Sequence, residues 1–313
     1  MTKKILSIDG GGIKGVFPAS FLSVIEETTG KKISEYFDLI VGTSTGGIIA
    51  LGLGMGFSAK ELLEFYEEMG PKVFKGNKLT RFLRSIGISK YDDRALRKAL
   101  EMKFADRKLG ESKNRLVIPS LNIENGEVHV YKTAHHQRFQ RDYNVKVVEV
   151  ALATTAAPTF FPTHKSASGV PLVDGGLWAN NPMGLAVVEA IGVLDWPRDE
   201  LKILSIGCTS EPLSVKWARK FSMGKAYWGF KVVDVFMSAQ SSASLGTAQL
   251  LAGHKNVIRI SPIVAKGKFG LDITEGINSL KGLGDTEARK ALPEIESFFI
   301  DKAEPFNPIY PLQ

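Results

Sequence analysis

The sequence predicts an α/β fold in which a mostly parallel central sheet carries helices on both faces. Short apolar runs rich in β-branched residues alternate with segments of helical periodicity. Two of these runs end in glycine-rich turns that lead directly into a helical pattern, as strand–helix units of parallel sheets do. No repeat or low-complexity linker interrupts residues 1–313, so we expect one domain. Its chemical motifs fall within about 3–210, and we expect 211–313 to supply lid, partner-binding and closing elements.

The elements are predicted in order from apolar runs, capping residues and helix breakers. A capping box at Ser58 and Glu61 opens one helix, and Asp92 or Asp93 opens the next. We expect strands at 4–8, 37–41, 116–121, 127–132, 170–173, 201–206 and 256–261. We expect helices at 16–27, from 45 to about 54, at 59–69, 94–104, 145–154 and 182–194, through a long region after 206, and at 286–299.

Composition excludes several classes of protein. The chain is 44% hydrophobic and 23% charged, which is ordinary for a soluble globular protein and excludes a disordered chain or a collagen-like fibre. The single cysteine, Cys208, excludes an internal disulfide and fits a reducing compartment. The N-terminus has no signal-peptide core, and the apolar stretch 41–57 is too short and too glycine-rich to span a membrane. We therefore expect a cytoplasmic protein.

The net charge of +7 favours anionic partners such as phospholipid surfaces, nucleotides or nucleic acid. Zinc-finger spacing, an aromatic RNA-binding motif and a lysine-rich tail are all missing from the sequence. We therefore expect no nucleic acid polymer as a partner.

The first motif reads DGGGIKG at residues 9–15, between a predicted strand and a predicted helix. Successive glycines let the main chain approach a ligand and direct several N–H groups at one point, and the helix start adds positive charge. The loop suits an oxyanion or a phosphate. It also matches the dinucleotide-binding pattern G-x-G-x-x-G, so by itself it leaves both interpretations open.

The second motif reads GTSTG at residues 42–46, directly after an apolar strand and before a helical run. This is the setting of a nucleophile elbow, in which flanking glycines allow a sharp turn that exposes the hydroxyl of Ser44. Simple helix capping by Thr43, Ser44 and Thr45 is the alternative, although a cap needs no flanking glycines. The serine turn also occupies the strand end where a dinucleotide-binding unit requires an acidic residue.

The third motif reads VDGG at residues 173–176, at the end of a short predicted strand. A serine hydroxyl is a poor nucleophile without a base within hydrogen-bond reach, and Asp174 offers one. An ordinary Asp-Gly turn is the favoured explanation of the same residues when they are considered alone. The three motifs together supply an anion-binding loop, a nucleophile and a base, each at a strand end, where ligands of α/β sheets bind.

In order and spacing, the three motifs resemble those of patatin-like phospholipases. The segments AAPTFFP at 156–162 and NNP at 180–182 are also similar to signatures of that family, and the resemblance covers about residues 3–210. It implies hydrolysis of acyl esters by a Ser–Asp dyad without histidine, through an acyl-enzyme intermediate. The membrane phospholipid is the implied substrate, and neither a metal ion nor a cofactor is expected.

Carried over residue by residue, the resemblance makes Ser44 the nucleophile, Asp174 the base, and Gly10, Gly11 and Gly12 the lining of the oxyanion hole. We expect desolvation beside Phe160 and Phe161 to raise the pKa of Asp174, because an ordinary aspartate is a weak base. Residues expected to support the site are Lys14, Gly15, Gly42, Gly46, Gly175 and Gly176.

Three alternatives to the dyad remain open. His254 is the one histidine that follows Asp174, so a Ser–Asp–His triad fits the chain order of an α/β-hydrolase esterase. The loop Gly10–Gly15 would serve an NAD(P)-dependent oxidoreductase. A lipid- or nucleotide-binding module with a vestigial site is the third. His135 and His136 lie in a polar stretch that we expect to be exposed.

Two basic regions favour an anionic partner. Residues 72–103 are rich in lysine and arginine, and residues 216–231 combine five basic residues with five aromatic ones. Such mixing suits a peripheral contact with the inner membrane or a lid over the site. The chain is also similar to compact bacterial patatin-like effectors of anti-phage systems that are activated by cyclic nucleotides, which implies a cyclic nucleotide activator. A homo-oligomer is left open.

Overall fold

The computed structural model describes residues 2–75, 88–212 and 224–312. Within these ranges eight strands form one sheet. The strands are β1 (Lys3–Ile8), β2 (Leu39–Gly42), β3 (Arg115–Asn122), β4 (Val128–Lys132), β5 (His164–Lys165), β6 (Pro171–Asp174), β7 (Leu201–Ile206) and β8 (Val257–Ile260). Their order is β5-β6-β3-β2-β1-β7-β8, and β4 also pairs with β3.

The helices pack between and after these strands. They are α1 (Val16–Thr29), α2 (Thr45–Gly54), α3 (Ala59–Val73), α4 (Arg94–Phe104), α5 (Val147–Thr155), α6 (Gly176–Ala179), α7 (Met183–Gly192), α8 (Lys225–Ala252) and α9 (Ile277–Ile295). The predicted capping box is present, since the hydroxyl of Ser58 accepts from the Glu61 amide and the Glu61 carboxylate accepts from the Ser58 amide. Among the described helices none is both long enough and apolar enough to cross a bilayer.

The predicted α/β class and mostly parallel sheet are confirmed. Strands β1, β2, β3, β7 and β8 run parallel to one another. Strands β4, β5 and β6 extend the sheet with antiparallel pairs beside β3. Parallel strands need helical crossovers, and this explains why the central strands alternate with helices along the chain.

Helices cover both faces of the sheet, as predicted. In β1 the side chains of Leu6 and Ile8 enter the core beneath α1 and α2, whereas Ile5 enters the core beneath α7 and α8. This alternation follows from the two-residue period of a strand. Each such side chain that is fully buried contributes about 1.5–3 kcal/mol, so both faces hold helices firmly.

Strand β3 organises the site because two strands share one of its edges. Val117 pairs with Val41 of β2, and further along β3 Ser120 pairs with Asp174 of β6. Strand β4 occupies the opposite edge of β3 from Val117 onward. The end of β2 and the end of antiparallel β6 therefore approach each other along the same edge.

The last helix begins earlier than predicted, at Ile277 instead of Thr286. The glycines of its first half lower helix propensity, but they serve a packing role. A Cβ on Gly284 would lie 2.7 Å from the carbonyl oxygen of Phe17, so glycine lets α9 lie directly against α1. Tertiary packing thus stabilises a helical segment that its residues alone do not favour.

Candidate active site

Ser44 occupies the turn between β2 and α2. Its backbone angles are φ 54° and ψ −120°, a strained conformation for a residue with a side chain. The flanking glycines make the turn possible: a Cβ on Gly42 would lie 2.1 Å from the carbonyl oxygen of Gly46. A Cβ on Gly46 would in turn lie 2.3 Å from the carbonyl oxygen of Ile8. The turn therefore has the crowding and strain of a nucleophile elbow.

The hydroxyl of Ser44 donates a hydrogen bond to the carboxylate of Asp174, with 2.6 Å between Oγ and Oδ2. The other carboxylate oxygen, Oδ1, accepts the amide of Gly176 at 2.7 Å. These two bonds fix the plane of the carboxylate. Because Oδ2 is held toward Ser44, the geometry suits transfer of the serine proton to aspartate.

Burial raises the pKa of Asp174 from 3.8 to about 6, against the lowering effect of its hydrogen bonds from Ser44 and Gly176. Asp174 is only 5% exposed, and its pKa rises because desolvation disfavours the charged form of the carboxyl group. The shift has the direction expected from the sequence. Phe161 is one of the two rings that we expected to desolvate Asp174, and it packs on Phe74 and Tyr91.

Thr154 supports the elbow from α5, a role that no sequence motif indicates. Its hydroxyl accepts the amide of Ser44 at 3.0 Å and donates to the carbonyl of Pro119 at 2.6 Å. The strained turn is thereby tied to β3. A single threonine in a helical run carries no pattern from which this contact could be predicted.

The glycine loop passes directly beside the serine. A Cβ on Gly10 would lie 3.3 Å from the Cβ of Ser44 and 2.5 Å from Oδ1 of Asn180. The Gly10 amide donates to the carbonyl of Asn180 at 2.9 Å, so it is already engaged within the protein. Of the three glycines expected to line the oxyanion hole, Gly10 therefore has its amide hydrogen-bonded to the main chain.

Gly11 and Gly12 are enclosed by the second half of the chain. A Cβ on Gly11 would lie 2.6 Å from the Cβ of Cys208, and a Cβ on Gly12 would lie 2.2 Å from the carbonyl oxygen of Leu271. Gly12 also has a φ of +57°, a conformation that residues with side chains rarely adopt. Both positions therefore require glycine.

The remaining predicted supporting residues lie around this centre. A Cβ on Gly15 would lie 2.1 Å from Oγ1 of Thr45, and one on Gly175 would lie 2.3 Å from the carbonyl oxygen of Pro119. Gly176 supplies the amide that binds Asp174. Lys14 lies half-buried in the single 3-10 turn after the loop.

Helix α8 contacts the site and belongs to residues 211–313, which we expected to supply lid, partner-binding and closing elements. Gln240 accepts the amide of Asn180 through Oε1 at 2.7 Å and donates through Nε2 to the carbonyl of Gly176 at 3.5 Å. Gln240 thus connects the Asp174 turn with the segment that binds Gly10. Most side chains of the basic region predicted at 216–231 lie outside the part of the chain that the structure describes. The same holds for residues 76–87 of the basic region 72–103.

The histidine of the alternative triad lies at the opposite end of the sheet from Ser44. His254 is exposed in the turn before β8, at the amino ends of the parallel strands, whereas Ser44 follows the carboxyl end of β2. The sheet therefore separates His254 from Ser44. The prediction that His135 is exposed was wrong: it is 8% exposed and bonded to Glu189 at 2.9 Å, because the polar stretch folds against α7.

The fold and the site define a hydrolase with an α/β sheet and a serine at its nucleophile elbow. A family model described as "Patatin-like phospholipase" matches residues 6–187, and the chain belongs to this family of lipid acyl hydrolases. The resemblance deduced from the motifs is thereby confirmed. The oxidoreductase alternative based on Gly10–Gly15 is wrong, because the same glycines are part of a phospholipase sequence.

Curated relatives match nearly the whole chain. A "cGAMP-activated phospholipase" of Pseudomonas aeruginosa is 33% identical over 93% of this chain and 89% of its own length. One of Vibrio cholerae is 37% identical over 96% of this chain and 92% of its own length. One of Escherichia coli is 32% identical over 97% of this chain and 94% of its own length. The similarity therefore extends into the last third of the chain, beyond the residues that the family model covers.

Proposed function

We propose that this protein hydrolyses fatty-acyl esters of phospholipids through a Ser44–Asp174 dyad. The observation that carries the proposal is the 2.6 Å hydrogen bond from the Ser44 hydroxyl to a buried carboxylate, at a strained turn between a strand and a helix. Asp174 accepts the serine proton while Oγ attacks the ester carbonyl. Protonated Asp174 gives this proton to the departing oxygen, so the alcohol leaves and an acyl-enzyme remains. Asp174 then takes a proton from the attacking water and returns it to Ser44 Oγ as the fatty acid is released.

The raised pKa of Asp174 suits both steps. A carboxyl group with a pKa of about 6 is largely ionised at neutral pH, yet it is a stronger base than an ordinary aspartate. Histidine supplies such a base in most serine hydrolases. Here burial of the carboxyl group replaces the histidine.

The oxyanion of the tetrahedral intermediate is assigned to the amides of Gly11 and Gly12. The Gly10 amide already donates to Asn180, so its contribution is to bring the loop against Ser44. A single main-chain donor of this kind lowers the barrier by about 3–4 kcal/mol. The half-buried Lys14 beside the loop would meet the phosphate of the lipid head group.

Activation by a cyclic dinucleotide is the regulatory part of the proposal. It is supported by the names of the relatives in three bacteria and by the net charge of +7, which favours a dianionic ligand. The biological role would then be degradation of membrane lipid during anti-phage defence, with the protein bound peripherally at the inner membrane.

Fluorophosphonate labelling combined with phospholipid hydrolysis tests the proposal. Wild type, Ser44→Ala, Asp174→Asn and the matched control His254→Ala are assayed on vesicles with and without cGAMP. We expect wild type and His254→Ala to be labelled and active, Ser44→Ala to show neither property, and Asp174→Asn to be labelled at least about 100-fold more slowly. Turnover by Ser44→Ala, or loss of turnover in His254→Ala, would overturn the dyad. A rate unchanged by cGAMP and related cyclic dinucleotides would overturn the activation.

A further inference from the structure

The carboxylate that precedes the glycine loop is held by an arginine from the far end of the chain. Asp9 is 5% exposed and forms a two-point ion pair with Arg259 of β8. The distances are 2.7 Å from Nη1 to Oδ1 and 2.5 Å from Nη2 to Oδ2. Nη1 also donates to the hydroxyl of Ser205 at 2.7 Å, so the guanidinium is fixed on two sides.

Reaching Asp9 requires the arginine side chain to cross a whole strand. Strand β7 lies between β1 and β8, and Arg259 pairs in register with Ser205 of β7. The distance from β8 to β1 is two strand spacings, about 9–10 Å, which an extended arginine spans. Small residues leave room for it: Ser205 of β7 and Gly207, directly after the strand, are two positions apart and face the same side, and a Cβ on Gly207 would lie 3.0 Å from Nη2.

The electrostatic need for this pair follows from its position. Burial raises the pKa of the Asp9 carboxyl, and the guanidinium of Arg259 acts in the opposite direction and favours the ionised form. An unpaired carboxylate here would be a buried negative charge next in sequence to Gly10, Gly11 and Gly12. The same loop is proposed to hold a developing oxyanion, and like charges in a site of low dielectric repel strongly.

We propose that Arg259 is a positioning residue for the oxyanion site, because it pairs with the Asp9 carboxylate and so offsets the negative charge at the start of the glycine loop. Separate hydrogen bonds hold the main chain of Asp9. Its N–H donates to the carbonyl of Ile206 at 3.0 Å, and its carbonyl accepts the thiol of Cys208 at 3.4 Å. Loss of the arginine would therefore leave the loop in place beside a carboxylate that has lost its ion-pair partner and is opposed only by the more distant charge of Lys14. Arg259 lies outside residues 6–187, so the family match does not include it.

This inference rests on the proposed function, and four variants test it: Arg259→Met, Arg259→Lys, Asp9→Asn and the double variant Asp9→Asn/Arg259→Met. The substrate is a monomeric water-soluble ester, and active enzyme is counted from the fluorophosphonate label. We expect Arg259→Met to lower kcat about 100-fold with KM changed less than about threefold, the size of a lost oxyanion donor. Arg259→Lys keeps the charge and should lose less than about tenfold.

The sign of the remaining charge separates this role from a structural one. Asp9→Asn leaves a positive charge, which does not repel an oxyanion, so its kcat should exceed that of Arg259→Met at least tenfold. The double variant should likewise recover at least tenfold over Arg259→Met. A purely structural ion pair predicts equal losses from either half. The matched control is Lys132→Met, which breaks the buried pair with Glu189 away from the loop and should keep kcat per active molecule.

Three results would overturn the inference: kcat of Arg259→Met within threefold of wild type, equal losses in Arg259→Met and Asp9→Asn, or a double variant no faster than Arg259→Met. If Arg259→Met does not fold, the double variant carries the test, and a loss of more than about tenfold in kcat would refute the charge argument. Failure of the proposed function is recognised separately, since wild type would then not hydrolyse esters or Ser44→Ala would remain active.

Discussion

Turnover should depend on pH through the ionisation of Asp174, and the structure sets the midpoint. A base with a pKa of about 6 is ionised in only about a tenth of the molecules at pH 5 and in about nine-tenths at pH 7. With the ordinary value of 3.8, more than nine-tenths would be ionised already at pH 5. We therefore expect kcat/KM to rise about tenfold from pH 5 to pH 7 with a single ionisation.

The assay uses a monomeric ester, so that binding to a lipid surface does not contribute, and circular dichroism verifies folding at each pH. Asp142→Asn is the matched control, because burial also raises the pKa of Asp142 although it lies beside β4, where it accepts the Lys132 amide at 3.1 Å. Its profile should keep the same midpoint. A wild-type profile that is flat above pH 5, or a midpoint that moves in Asp142→Asn, would refute the assignment of the ionisation to Asp174.

The remaining predictions concern the effects of the site geometry on stability and activity. Because the folded pKa of Asp174 is raised from 3.8 to about 6, the contribution of this group to the stability of the wild type falls by about 3 kcal/mol as pH rises from about 4 to 6, and it stays lower above that. Asp174→Asn should thus be more stable than wild type at pH 8 but not at pH 4 in urea unfolding, and equal stabilities at pH 8 would contradict this. Thr154→Val leaves the Ser44 amide unpaired, so the free energy of unfolding should fall by about 1–3 kcal/mol in thermal unfolding. Fluorophosphonate labelling should slow about tenfold, and labelling at the wild-type rate would count against a role of Thr154 in supporting the elbow. Gly12→Ala should abolish turnover, whereas Gly30→Ala, which has a similar positive φ but open space around it, should lose only about 1–2 kcal/mol of stability and keep its activity. Equal activity of the two glycine variants would show that crowding at the loop is unimportant.

The local parts of the site were predictable because each is encoded in consecutive residues. The elbow needs glycines around a serine between a strand and a helix, and the turn at Asp174 needs glycines after it. Both requirements are visible as GTSTG at 42–46 and DGG at 174–176. The order of chain segments and the alternation of strands and helices then predicted the α/β sheet.

The partners supplied by distant segments were not predictable in this way. Thr154, Gln240 and Arg259 each contact the site through one side chain, and nothing in their sequence neighbours distinguishes them from other residues of their type. His135 was misjudged because its polar neighbours hide a buried bond to Glu189. Contacts of this kind depend on strand order and register, which one-dimensional periodicity does not specify.

The shared edge of β3 has a consequence for variation within such enzymes. Strand β3 rises about 10 Å over the three residue steps from Val117, which pairs with β2, to Ser120, which pairs with Asp174. This short piece of β3 is a rigid spacer. It sets the separation of the nucleophile and the base, whereas the long chain that connects them in sequence does not. Insertions in the surface connections elsewhere would leave that gap unaltered. Deleting one residue from the spacer would instead shift the aspartate by about 3.3 Å and turn it toward the opposite side of the sheet.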